Sequence, residues 1–120
     1  MMWIAFAAAV SGPAVIPAEF RGEWNSRLSA CGTADWDPLS IDAMHLVYDE
    51  YAGDVNRVVR HSRRIITVFA TYSAEGHPLG DGAGQFALSA SGNELTVRDA
   101  RSASTHYYRC TADRTPKNSA

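Results

Sequence analysis

The sequence lacks several features that would point to a particular function. Lys117 is the only lysine among eleven basic residues, and the formal net charge of -2 gives no attraction to nucleic acid or anionic lipid. Neither G-x-S-x-G nor H-E-x-x-H occurs, so two motifs that carry hydrolytic chemistry are missing. The longest apolar run, residues 3–10, is far shorter than the roughly 20 residues that a membrane-spanning helix needs. We predict no nucleic-acid partner, no membrane span and no enzyme.

Metal-ligand and phosphate-binding patterns are also missing. The four histidines are at least sixteen residues apart in sequence, which favours independent surface or half-buried side chains over a metal site; they are His45, His61, His77 and His106. The glycine-rich segment "GDGAG" (80–84) is not followed by Lys and Ser or Thr, so it predicts a flexible loop rather than a phosphate cradle. No metal or cofactor is predicted. The surrounding segment, residues 77–85, is the longest predicted loop and a candidate lid or contact loop.

The N-terminus is typical of a targeting segment. The apolar run is followed by Gly12-Pro13-Ala14, the small-x-small pattern that signal peptidases cleave, although no Lys or Arg precedes the run. We predict that residues 1–18 are a signal peptide, or alternatively an apolar N-terminal arm. Residues 19–111 then form a single β domain, residues 112–120 form a disordered tail, and the protein is periplasmic or secreted. We expect a monomer.

Two cysteines, Cys31 and Cys110, agree with export. An even number of cysteines in a small exported chain indicates a disulfide. The bridge would close a long loop and stabilise the fold by roughly 4 kcal/mol in the chain-entropy model. The alternative is a pair of buried free thiols.

Alternating apolar and polar residues predict β-strands over most of the remaining chain. The predicted strand regions are residues 39–51, 54–62 and 63–73, a hairpin at 84–100, and 105–110. In the second region Val55 and Val59 share a face and Val58 lies opposite. Turns are predicted at residues 52–54, 75–84 and 102–104. The fold class is therefore all-β, a small antiparallel up-and-down barrel, with a two-sheet sandwich as the alternative.

One segment has helical spacing. Phe20, Trp24 and Leu28 lie at i, i+4 and i+8 within residues 18–30, which would place them on one helix face. Gly22 weakens this interpretation because glycine is a poor helix former.

Gly22-Glu23-Trp24 resembles the G-x-W opening of lipocalin-like barrels. The resemblance implies that Trp24 closes one end of the barrel and that an arginine of the last strand, here Arg109, stacks on it. Short exported bacterial β-barrel proteins of uncharacterised function are also similar at both chain ends. Small periplasmic protease inhibitors and lysozyme inhibitors share the size and the disulfide, but the residues that carry their inhibition are not found here.

Three exposed-looking clusters are candidates for chemistry or contact. Asp35 and Asp37 flank Trp36, a pattern that suits a sugar or a basic partner. A basic run containing Arg60, Arg63 and Arg64 is predicted at a strand junction and suits an acidic partner. The adjacent carboxylates Asp49 and Glu50, or a histidine, are the candidates for a small hydrolase, but neighbours on a strand point to opposite faces.

We therefore expect an exported, non-catalytic binding protein. One mechanism is a filled barrel whose loops contact another protein, as an enzyme inhibitor does. The alternative is a carrier that holds a small apolar ligand inside the barrel, and a small hydrolase is the second alternative. The candidate ligand-facing side chains are Leu46, Tyr48, Val68, Phe86 and Leu88.

Overall fold

The computed structural model describes residues 15–33 and 35–110, which form eight β-strands. The strands are β1 (Gly22–Asn25), β2 (Leu39–Ile41), β3 (His45–Tyr48), β4 (Ala52–Ser62), β5 (Ile65–Ala74), β6 (His77–Leu88), β7 (Glu94–Asp99) and β8 (Ser104–Cys110). Each strand pairs antiparallel with the next, and β1 pairs with β8. The predicted closed up-and-down barrel is confirmed, and the sandwich does not form. Closure leaves no unpaired sheet edge between the first and last strands.

The up-and-down topology gives the barrel two different ends. We call the end that carries the β2–β3, β4–β5 and β6–β7 turns the closed end, because residues 15–21 lie across it. We call the other the open end; it carries the β1–β2, β3–β4, β5–β6 and β7–β8 connections. The fully buried apolar side chains include Ile16, Phe20, Leu39, Leu46, Ile66, Val68 and Leu95. No helix within residues 15–33 and 35–110 has the length and apolarity to cross a membrane.

The segment 18–30 is not an α-helix. It contains short 3-10 helices at Ala18–Phe20 and Leu28–Ala30, separated by β1. Gly22 has φ +131°, a conformation that L side chains rarely adopt and that interrupts helical geometry. Leu28, the third member of the helical spacing, is exposed.

Residues 39–51 are two strands rather than one run. The carboxylate of Asp42 accepts hydrogen bonds from the backbone N–H groups of Met44 and His45, at 2.9 and 2.7 Å, and so makes the β2–β3 turn. Met44 lies in this turn and is exposed, whereas Leu46 in β3 is buried.

The predicted faces of β4 are wrong beyond Val55. Val55 lies opposite Ala70 and Val58 lies opposite Val68, with a register shift between Val55 and Arg57. A bulge of this kind inserts one residue and reverses which side chains face inward. Val58 rather than Val59 consequently packs against the core.

Two predicted turns are strand segments. Gly53 lies in β4 and the glycines at 80–84 lie in β6, so the segment 77–85 is not a loop. The β3–β4 turn lies earlier, before Ala52. Gly53 and Gly82 are small for a packing reason: the ring of Tyr72 contacts the backbone at both positions.

A disulfide and the hydrogen bonds of one buried asparagine hold the β1–β2 connection against the outside of the barrel. Cys31 and Cys110 form the predicted disulfide, which joins this connection to the end of β8. Asn25 is buried beneath it, donates to the carbonyl oxygens of Ala30 and Asp35, and accepts from the backbone N–H of Arg27. These hydrogen bonds use the donors and the acceptor of the Asn25 amide, and they hold the connection against the barrel wall.

Candidate functional site

The closed end is held by Trp24 and Arg109. Their Cα atoms are paired across β1 and β8, and the guanidinium carbon lies 4.3 Å from the centre of the indole ring. Arg109 donates to the carbonyl oxygens of Glu19, Arg21 and Gly92 at 2.8, 2.7 and 2.9 Å. The guanidinium thus joins residues 15–21, the β6–β7 turn and the last strand. The stacking implied by the G-x-W resemblance is present.

Residues 15–21 complete this end. Ile16 and Phe20 are fully buried, and Trp24 Nε1 donates to the carbonyl oxygen of Phe20 at 3.1 Å. The backbone N–H of Ile16 donates to Ala43 in the β2–β3 turn at 2.8 Å. Among the described residues, buried side chains and hydrogen bonds pack residues 15–21 against this end of the barrel.

The five candidate ligand-facing residues divide between core and cavity. Leu46 and Val68 are fully buried and Leu88 is nearly so; all three belong to the packed core. Phe86 also belongs to the core but borders a cavity at the open end, which Tyr48 lines as well. Three of the five candidates therefore pack in the core, and two border the cavity at the open end.

The cavity at the open end has a volume of about 270 Å³. Its walls combine large tyrosines with small residues of β6, so the rings stand around an unfilled space. The tyrosines are Tyr48, Tyr51, Tyr72 and Tyr107, and the small residues are Gly82, Ala83 and Gly84. Asp99, Arg101 and Thr105 line the part nearest the β7–β8 turn.

Glycines on both sides give Tyr72 its position. A Cβ atom at Gly53 would lie 2.6 Å from Tyr72 Cε1, and one at Gly82 would lie 3.1 Å from Tyr72 Cε2. Side chains at these positions would displace the ring. Gly53 and Gly82, which resemble turn residues in the sequence, thus leave room for the ring of Tyr72.

Three tyrosines form one aromatic cluster. Tyr48 and Tyr51 stack with ring centres 4.6 Å apart and planes 13° apart. Tyr51 meets Tyr72 edge-on at 5.8 Å. Such arrangements are favoured by the ring quadrupoles. Tyr51 is 41% exposed, so the cluster extends from the cavity wall to the surface.

A second cavity of about 310 Å³ adjoins the first and shares Tyr48, Tyr51, Thr105 and Tyr107 with it. Trp36, Asp37, Asp49 and Glu50 form its outer side. Trp36 is 58% exposed and has φ +63°, which is strained for a bulky side chain. The guanidinium of Arg27 lies 4.0 Å from the centre of its ring.

The tyrosines of the open end remain neutral over a wide pH range. Burial is the main cause that raises the pKa of Tyr48, Tyr72 and Tyr107. Burial also raises the pKa of Tyr51, with smaller contributions from Asp99 and Asp37. Asp37 and Asp99 are thus close enough to Tyr51 for their negative charge to act on its phenol group.

The predicted contact residues lie at opposite ends of the molecule. Trp36 and Asp37 border the open end, and Asp35 lies in the same connection. Arg60, Arg63 and Arg64 lie at the β4–β5 turn of the closed end. Arg60 forms an ion pair with Glu19 at 3.3 Å and donates to the carbonyl of Arg63 at 3.0 Å. The two groups therefore do not form one surface.

The carboxylate and histidine candidates for a hydrolase do not share a site. Asp49 and Glu50 lie in the β3–β4 turn and line the second cavity. The histidines have partners elsewhere: His45 contacts Asp42 and Asp54, His106 contacts Glu94, and His61 contacts Thr67. None of the four histidines lines either cavity at the open end.

Sequence reasoning did not identify Tyr51, Tyr72, Tyr107 or Asp99. One signal was available in principle. A tyrosine that lies beside a glycine on the neighbouring strand indicates that the ring packs over the glycine and forms part of a cavity wall. That signal requires the strand register, which the sequence does not supply for β4 and β6.

Comparison with known proteins gave no match to a family model, a curated protein sequence or a solved structure. Within residues 15–33 and 35–110, no three His, Cys, Asp or Glu side chains are grouped to hold a metal ion. The functional argument therefore rests on the geometry of the open end.

Proposed function

We propose that this protein is a non-catalytic binding protein that takes a small ligand into the cavity at the open end of its barrel. The observation that carries the proposal is the four-tyrosine wall around about 270 Å³ of space. Ligand sites are typically concave, mainly apolar, and supplied with a few polar groups that orient the ligand. This volume is near the lower limit of such sites, so the ligand is small.

The difference between the two ends supports the proposal. At the closed end, Trp24 and Arg109 are occupied by hydrogen bonds and stacking. At the open end, the hydroxyls of Tyr48, Tyr51 and Tyr72 form no hydrogen bond with described residues. Phenol groups of this kind supply both a donor and an acceptor to a ligand.

A non-catalytic role is favoured over hydrolysis. Catalysis needs a nucleophile or base oriented by a second group. The cavity walls provide tyrosines whose raised pKa opposes ionisation and carboxylates from three parts of the chain, without a histidine. The closed barrel and the stacking of Arg109 on Trp24 support the lipocalin-like interpretation, with a carrier-like function.

The proposal is tested by filling the cavity. Thr105 lines both cavities, so Thr105→Phe should occupy part of the space. Thr96→Phe is the matched control, because Thr96 contacts His106 on the outer face. The test uses a set of fragments that includes positive, negative and neutral molecules. We expect ligand-observed NMR signals of bound fragments with the parent and the control, and loss of these signals with Thr105→Phe. Equal binding to all three proteins would contradict a ligand site at the open end.

A second candidate function is inhibition of another protein. The exposed and strained Trp36 favours it, because strain in an exposed aromatic residue is retained where a contact uses it. An inhibitor would reduce the activity of a lysozyme or a serine protease stoichiometrically, and Trp36→Ala would abolish the effect. Unchanged enzyme activity in both assays would remove the support for these two targets.

We also propose export to the periplasm or the medium. The Cys31–Cys110 disulfide is consistent with an oxidising compartment, and residues 1–14 lie outside the described part of the chain. Ile16 is buried in the closed end, so a signal peptide should be cleaved after Ala14, where Gly12 and Ala14 are small. Intact mass of the exported protein should show Val15 as the first residue; a start beyond Ile16 would contradict this site.

A further inference from the structure

The charged side chains that line the two cavities, which we call the rim of the open end, are mostly negative. The residues that line the two cavities include four carboxylates, Asp37, Asp49, Glu50 and Asp99, and one guanidinium, Arg101. In the described part of the chain, none of the four carboxylates takes part in an ion pair; the ion pairs found there involve Glu19, Asp42, Asp54 and Glu94. The negative charge at the rim is therefore not neutralised by direct pairing.

The tryptophans and the cavity tyrosines differ in their cation partners. Trp24 carries Arg109 and Trp36 carries Arg27 on a ring face. Among the described residues, the remaining cation–ring pair is Arg57 with Phe69 on β4 and β5. The tyrosines of the cavity have no such partner, although their neutral rings present the negative face that attracts a cation.

We infer that the open end binds a small organic cation: an ammonium group carried on an apolar body. The inference rests on the proposed function and specifies its ligand. The apolar body would lie against Phe86, Val97 and the small residues of β6, and the ammonium group would face Tyr51 and the rim carboxylates. An aromatic cage with nearby carboxylates is the arrangement that recognises weakly hydrated ammonium groups.

This ligand class fits better than the alternatives. A metal ion requires several converging ligands, and no such group is found in the described residues. Among the charged residues that line the cavities, an anion would be attracted by Arg101 and repelled by four carboxylates. A neutral apolar molecule would use the rings but gain nothing from the potential at the rim.

The experiment compares three probes that share a ring and differ in charge: phenethylamine, 2-phenylethanol and phenylacetate. Their dissociation constants are measured by calorimetry, or by competition NMR where binding is weak. We expect the amine to bind about tenfold more tightly than the alcohol, and the acid to bind most weakly. The advantage of the amine should shrink as salt rises, because exposed charges are screened.

Two pairs of variants locate the effect. Asp49→Asn/Glu50→Gln removes two rim charges, and Glu23→Gln/Glu94→Gln removes two charges from residues that line neither cavity and lie towards the closed end. The first should reduce the preference for the amine several-fold and the second should leave it unchanged. Tyr51→Phe keeps the ring and should retain the preference, whereas Tyr51→Leu should lose part of it. Tyr51 is exposed enough for both variants to fold.

The outcomes separate the inference from the proposed function. Binding of the alcohol or the acid as tightly as the amine, with sensitivity to Thr105→Phe, would overturn the cation preference and leave the cavity as a ligand site. An equal response of the two charge variants would also overturn it. No binding of any of the three probes would overturn the inference, and the fragment screen with Thr105→Phe would then decide the proposed function.

Discussion

The closed and open ends of the barrel both carry aromatic and charged side chains, and they arrange them in opposite ways. At the closed end, an indole ring, a guanidinium and three backbone carbonyls satisfy one another. At the open end, four tyrosine rings and four carboxylates surround space that the chain does not fill. The first arrangement stabilises the fold, since its polar groups are paired internally. In the second, the four carboxylates form no ion pair with described residues, and the rings border unfilled space.

The largest expected difference between the ends is in tryptophan truncation. Trp24→Ala should lower the free energy of unfolding by about 4–5 kcal/mol, because it leaves a cavity and removes the ring beneath Arg109. Trp36→Ala is the matched control at the open end and should change stability by less than about 1 kcal/mol, since most of its side chain is solvated. Urea unfolding measures both, and equal losses would contradict the contrast.

Removal of the disulfide should have the next largest effect. The bridge closes a loop with a sequence separation of 79 residues, so Cys31→Ser/Cys110→Ser should lower stability by about 4 kcal/mol in the chain-entropy model. The same loss should appear when the parent is melted in reductant. Identical melting with and without reductant would show that the β1–β2 connection does not depend on the bridge.

Gly53→Ala should damage the open end alone. Its added Cβ would meet Tyr72 at 2.6 Å, and overpacking of this kind costs about 1–3 kcal/mol. Gly84→Ala is the control, because its Cβ would meet its nearest neighbour at 3.4 Å. Calorimetric melting should be lowered by Gly53→Ala more than by Gly84→Ala; the reverse order would show that Tyr72 does not depend on this contact.

Alkaline pH should produce a smaller effect that originates mainly at the open end. Burial raises the pKa of Tyr48 and Tyr107 in the folded protein, so folding favours the neutral phenols. This contribution is fully present below the unfolded tyrosine pKa of about 10 and is lost as the pH rises above it. Stability should therefore fall above about pH 10, and less steeply in Tyr48→Phe. An equal slope in the parent and the variant would contradict the assignment.

The parts predictable from sequence are those that depend on local or chain-end information. Alternation of apolar residues specified an antiparallel barrel, and Trp24, Arg109 and the two cysteines indicated how the ends of the chain meet. The open end depends on strand register instead. The bulge after Val55 changes which residues face inward, and Gly53 and Gly82 are indistinguishable from turn residues until Tyr72 is placed between them.

The positions of the candidate contact segments were harder to predict for a related reason. The segments around Trp36 and around Arg60 are both polar and turn-like in sequence, yet they lie at opposite ends of the barrel. Whether a polar turn borders a cavity depends on what fills the barrel beside it. Residues 15–21 fill the closed end, and small residues of β6 leave the open end unfilled.

The most direct test of the contrast is a chemical-shift map of the protein titrated with phenethylamine. The account predicts shifts at the backbone amides of Gly82, Gly84 and Ala103, which line the cavity. Amides at the closed end, such as those of Ile16 and Gly92, should not move. Shifts concentrated at the closed end, or spread equally over both ends, would contradict the assignment of the open end as the binding site.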